Sequence, residues 1–139
     1  MGNGSNYVLD SFALIGYLEN EPFAAKIEGL LYGAKEDISR IYLHALHLGE
    51  VYYITLREQG RELADLAYSR IKGFPIHFVW QIDEALLRAA AALKARYPIS
   101  YADSYAAALA GIHKAHLLTG DPEFRRLEED GVLKLTWLA

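Results

Sequence analysis

The sequence predicts an α/β domain organised around a largely parallel sheet. Short apolar runs alternate with longer amphipathic stretches from one end of the chain to the other, the order expected when helices carry each strand back to the start of the next. Ser, Pro and Gly punctuate the alternation at the places where elements should begin or stop. A length of 139 residues, 53% of them hydrophobic and 23% charged, suits one globular core. No internal repeat, low-complexity tract or linker divides it, so residues 1–139 are read as a single domain.

The first strand is Tyr7-Val8-Leu9-Asp10, a buried run ending in an acid. Ser11 then caps a helix carrying Phe12, Leu14, Ile15 and Leu18, and Pro22 suits the first turn of a second helix. Residues 37–43 read as a strand, residues 44–58 as a helix, and Gly60 separates that helix from another at residues 61–72. Pro75 opens a strand over residues 76–80. The alanine-rich stretches 83–97 and 101–115 are helices, the first stopped by Pro98 and the second capped by Ser100. A strand at residues 116–119, a short helix at 121–129 and a strand at 132–138 complete the order.

Composition narrows the function. The absence of cysteine excludes a disulfide scaffold, a thiol nucleophile, a thiolate zinc site and an iron–sulfur cluster. A net charge of -4 argues against coating nucleic acid by bulk positive charge, but leaves it open as a substrate. No apolar run approaches the roughly 18–20 residues that span a bilayer, and the uncharged start Met1–Asn6 is no secretory signal, which places the chain in the cytoplasm. Gly2-Asn3-Gly4-Ser5 reads as a cloning scar or a disordered lead. Without a Gly-rich loop after the first strand, neither a dinucleotide fingerprint nor a P-loop fits. His44 with His47, and His113 with His116, lack the third nitrogen or thiolate that a zinc site needs, and His77 reads as a packed edge residue. Tyr52, Tyr53, Tyr101 and Tyr105 suit core and rim packing or a half-buried interface.

Most of the eighteen acids belong to solvated faces, and Asp37 and Asp83 suit turns or caps. Asp10 and Asp121 differ. Each follows an apolar strand, where open α/β sheets present their ligand-binding edge. Glu50 and Asp103 are isolated acids in apolar helical surroundings, and each needs a cation, a partner or water. Taken singly, Asp10, Asp103 and Asp121 also have ordinary helix-capping explanations. Converging without Lys or Arg, the four would repel one another by roughly a few kcal/mol per close pair even at an effective dielectric near 20. A hard divalent ion, Mg²⁺ or Mn²⁺, removes that conflict and can activate water against a phosphodiester.

In order and spacing, Tyr7-Val8-Leu9-Asp10-Ser11, Glu50 early in a helix, Ser100-Tyr101-Ala102-Asp103-Ser104 and Leu118-Thr119-Gly120-Asp121-Pro122-Glu123-Phe124 resemble the PIN domain along essentially the whole chain. The likeness is nearest to the VapC-type toxin ribonucleases of prokaryotic toxin–antitoxin pairs. It implies a three-layer α/β/α fold with a parallel five-stranded sheet, and a metal-dependent endoribonuclease activity. Asp10, Glu50, Asp103 and Asp121 match the family's acidic quartet and metal ligands, Asp10 and Asp103 above all. Thr119 matches the hydroxyl beside the fourth acid, and Ser11 the small polar residue after the first. Glu123 is better read as a helix cap than as an outer acid.

The resemblance also implies a homodimer and an antitoxin lying across the acidic groove, with an Arg competing for the carboxylates. Phe12 and His47 depart from the pattern, since a small polar residue and a hydroxyl are common at those places. On this reading water held at Asp10 and Asp103 attacks phosphorus in line, leaving a 5′-phosphate and a 3′-hydroxyl. Arg40, Lys72, Arg96, Lys114, Arg125 and Arg126 are the candidates for holding RNA, or are ordinary solvated charges. The competing readings are a non-catalytic RNA-binding or scaffold module and a nuclease that processes ribosomal RNA.

Overall fold

Val8 and Leu9 are successive residues of one strand, and a strand sends successive side chains to opposite faces. Both are fully buried, as are Leu117 and Leu118 of a neighbouring strand, so these strands must be covered on both sides. The computed structural model, which describes residues 5–138, builds this cover as three layers. The reading of the lead as a scar or disordered segment falls, apart from Ser5, outside the described residues.

The sheet contains β1 (Asn6–Leu9), β2 (Arg40–His44), β3 (His77–Val79), β4 (His116–Thr119) and β5 (Lys134–Trp137). Its order is β3-β2-β1-β4-β5 and every neighbouring pair is parallel. Helices α1 (Ser11–Leu18), α2 (Ala24–Lys35), α3 (Ala45–Gln59) and α4 (Arg61–Lys72) contribute to a core with Leu9, Leu43 and Leu118 on one face. Helices α5 (Glu84–Arg96), α6 (Tyr101–Ile112) and α7 (Arg125–Glu129) close a second core over Val8 and Leu117 on the other. The α/β class, the three layers and the five-stranded parallel sheet all agree with expectation.

Boundaries differ where local chemistry outweighs apolar content. The strand expected from residue 37 starts at Arg40, because Asp37 occupies a left-handed turn at φ 61° and Ile38 is exposed. His44 ends β2 and caps α3 with its own ring, Nδ1 accepting from the Leu46 N–H at 3.0 Å. Pro22 precedes α2 by two residues instead of sitting in its first turn. Helix α6 stops at Ile112, three residues early, because Lys114 turns to φ 51° and the Ala115 N–H returns to the Ala110 carbonyl at 2.8 Å. That is the bond pattern of a Schellman stop without its usual glycine. The helix expected at residues 121–129 divides into a 3-10 turn, Pro122–Phe124, and α7.

From β1 the chain moves through β2 to β3 in one direction, and from β4 to β5 in the other. The reversal lies between β1 and β4, and the crevice beyond the carboxyl ends of such a pair is where doubly wound sheets bind ligands. Phe124 is fully buried under the loop that leaves β4 there. Phe124→Ala should therefore lower stability by about 3–5 kcal/mol, read as a shifted urea midpoint at unchanged slope.

Candidate metal centre

Asp10 follows β1 directly. It is 2% exposed and caps α1, its Oδ1 accepting the Ala13 N–H at 2.9 Å. Continuing the β1–β4 register by one step sets Thr119 opposite Asp10. The fully buried Thr119 hydroxyl lies close enough to the Asp10 carboxylate to lower its pKa, and its oxygen accepts the Asp121 N–H at 3.1 Å. One hydroxyl thus ties the ends of the two central strands together. Asp121 in turn caps the 3-10 turn, accepting from the Glu123 N–H at 3.0 Å.

Asp103 arrives from the opposite face, in the first turn of α6, where Ser100 Oγ accepts its backbone N–H at 3.0 Å. Carboxylate oxygens of Asp103, Asp121 and Glu123 lie within 4.8 Å of one another, close enough to share one ion. Glu50 comes from α3, with the Ser11 hydroxyl close enough to lower its carboxylate pKa against the effect of burial. Its Oε1 is buried and has no hydrogen-bond partner.

The four sequence-chosen acids therefore gather at the switch point. Glu123, expected to be a helix cap, is part of the tightest group while Asp121 does the capping. Asp10 and Glu50 lie outside that triad but act on one another electrostatically. The available signal for Glu123 was an acid two residues beyond Asp121, inside a turn too tight to carry it away. His47 has a role that its sequence neighbourhood does not announce. It is fully buried, and its Nε2 must carry the proton that it donates to the Ala102 carbonyl at 2.9 Å. This bond ties α3, one turn before Glu50, to α6 beside Asp103. Burial pushes the His47 pKa down to about 4, so the ring is neutral and adds no positive charge.

The electrostatics are one-sided. Burial raises the Asp10 pKa to about 7, helped by Asp121 and Glu50 and opposed by its bonds from Thr119 and Ala13. Burial likewise raises Asp103 to about 7, with Asp121, Glu123 and Asp10 adding to the effect. Burial raises Glu50 as well. Among the described residues, the ion pairs of Arg96 and Arg126 both go to Asp130, away from this cluster. Hard oxygen donors, crowded without a basic partner and including an orphaned buried Oε1, fit a divalent cation such as Mg²⁺ or Mn²⁺.

A domain of this class, with acids gathered at the switch point of a parallel sheet, is matched by the PIN domain family model over residues 7–130. The chain belongs to the PIN domain family. No curated relative matches it by sequence. Among solved structures it is similar to VapBC2 from Rickettsia felis, bound to a DNA fragment from its promoter. That likeness has a TM-score of 0.76 and 16% identity, covering 96% of this chain and 99% of that one. VapBC-1 from nontypeable Haemophilus influenzae gives 0.70 and 20% over 96% and 98%. VapC20 from Mycobacterium tuberculosis, a sarcin-ricin loop cleaving toxin, gives 0.65 and 15% over 88% and 94%. At these identities the structures speak to the fold.

The raised Asp10 pKa makes a stability prediction for metal-free protein. The folded state holds this proton more tightly than the unfolded chain, so its contribution is full below about pH 4 and is lost as pH rises through 7. The rise from 3.8 to about 7 is equivalent to roughly 4 kcal/mol at most. Asp10→Asn keeps a capping oxygen and removes the charge. In EDTA it should be more stable than wild type at pH 8, by about 2–4 kcal/mol, and equal to it near pH 4, measured by urea unfolding.

Proposed function

We propose that this PIN domain is a metal-dependent endoribonuclease, the toxin of a toxin–antitoxin pair. The observation that carries the reading is the convergence of Asp10, Asp103, Asp121 and Glu123 at the switch point, with no basic side chain paired to them among the described residues. Asp103, Asp121 and Asp10 are assigned to hold Mg²⁺ or Mn²⁺, with Glu50 and Glu123 completing the shell directly or through water. A divalent ion so bound supplies an acidified water and charge neutralisation at a phosphodiester. Thr119 fixes the spacing of Asp10 and Asp121, and Ser11 aims Glu50. The fully buried floor under Asp10 limits the approach of substrate to the open side of the crevice.

RNA is the proposed substrate, and the toxin role rests on similarity to the VapBC complexes. On the same ground the partners proposed are an antitoxin and a second copy of the chain, in the cytoplasm. Exposed Leu46, Tyr53 and Tyr101 offer apolar area for such a contact. No helix among the described residues is long and apolar enough to cross a membrane.

The deciding experiment is cleavage of a mixed structured-RNA pool with Mg²⁺ or Mn²⁺. Cutting should disappear with EDTA and in Asp10→Asn and Asp103→Asn, each folded by circular dichroism. Activity retained in both variants would sink the assignment. Metal should also raise the melting temperature more at pH 8 than at pH 5.5, where protons already occupy Asp10 and Asp103. Glu123→Gln should weaken metal affinity by about 10–100-fold, the range for a supporting ligand, in a calorimetric titration.

A further inference from the structure

A groove of about 630 Å³ shares Asp121 with the acid cluster and is lined also by Ser11, the neighbour of Asp10. Phe12, Phe23, Ile54 and Leu138 supply most of its apolar lining. Phe12 and Phe23 stack, ring centroids 5.6 Å apart and planes 20° from parallel. Phe23 lies so close to Gly16 that a Cβ there would stand 2.0 Å from its ring, and this close packing fixes the lower ring of the stack. Phe12 nevertheless stays 39% exposed, an apolar ring left to solvent two residues from the most buried acid of the site.

We propose that Phe12 is a specificity-determining residue, forming with Phe23 a stacking pocket for an unpaired base of the RNA next to the scissile phosphate. The proposal rests on the nuclease reading above and deepens it. Three features support a base as the occupant. The pocket is continuous with the acid site through Ser11 and Asp121, so a nucleotide whose phosphate lies over the acids projects its base into it. Two parallel rings provide a flat π platform, which every base can use. Glu19 and Glu21 line the groove as well. Their carboxylates repel a phosphate but accept hydrogen bonds from a neutral base edge, so the backbone stays on the metal side and the base enters. An acceptor-only rim further favours bases with an exocyclic amino group over uracil.

The test uses the single-stranded RNA that wild type cuts fastest from a mixed pool, together with copies made abasic at either nucleotide beside the cut. Phe12→Ala should lower kcat/KM on the intact RNA by about 5- to 100-fold, the range of aromatic–base stacking. On one abasic copy it should change nothing, and Phe12→Trp should restore the rate on the intact RNA. An equal loss on intact and abasic RNA, or no loss on either, overturns the proposal. Should wild type cut no RNA, the nuclease reading fails by itself and the pocket is read by binding. Wild type should then quench a 2-aminopurine-labelled single-stranded RNA in Mg²⁺, and Phe12→Ala should not. Absence of quenching by wild type overturns the pocket as a base site and leaves the groove to a protein segment.

Discussion

Parallel hydrogen bonding is the constraint from which the site follows. When β1 lies between β2 and β4 and all run the same way, their carboxyl ends must emerge at one edge. Each crossover returns its chain to the opposite edge, so helices leaving the strands begin where the acids are. Asp10 caps α1, Asp121 caps the 3-10 turn, and Asp103 sits in the first turn of α6. The unpaired N–H groups and positive dipole ends of helices favour negative charge at such positions, typically by about 0.3–1 kcal/mol each. That is enough to collect carboxylates but not to neutralise a cluster of them; burial first, and the neighbouring acids after it, raise the pKa values of Asp10 and Asp103.

The surrounding structure is stiff where that repulsion would otherwise open it. Val8, Leu9, Leu117 and Leu118 are fully buried beneath the cluster, and the Thr119 hydroxyl joins the two strand ends above them. His47 performs the corresponding service between helices, tying α3 to the start of α6. Its neutral ring matters. A cation at that place would satisfy the acids internally and reduce the hold on an external ion, whereas the neutral ring fixes position and leaves the charge imbalance intact.

Much of this was legible in the chain because the determining signals are local. An apolar run followed by an acid requires no partner to be recognised as a strand end, which marks Asp10 and Asp121, while Glu50 and Asp103 stand out as isolated acids in apolar helical surroundings. Element order was equally readable, since each strand and helix announces itself by periodicity. The place of Glu123 is harder to read in sequence, because the division of residues 121–129 into a 3-10 turn and α7 depends on Asp121 taking the cap, a choice between two acids two residues apart that sequence does not rank. The significance of His47 was hidden because its partner, Ala102, is distant in the chain and offers only a backbone carbonyl, which every residue has. The groove is hidden in the sequence for the same reason: Phe12, Ile54, Asp121 and Leu138 meet only after four crossovers.

The site therefore has two halves with different tolerances. The half on β1 and β4 is set by buried strand ends, where a slip of one residue would carry the Asp10 carboxylate into the fully buried position of Leu9. The half contributed by Glu50 and Glu123 is less constrained: Glu50 is only partly buried, and Glu123 is exposed beside a short turn. Long side chains with spare freedom can follow an ion or a phosphate as charge redistributes, while Asp10 keeps the reference geometry. The groove at Phe12 opens from the rigid half. A ring placed three residues beyond the end of β1 inherits the precision of the strand, and an aromatic residue there meets whatever lies against it at a fixed distance from Asp10.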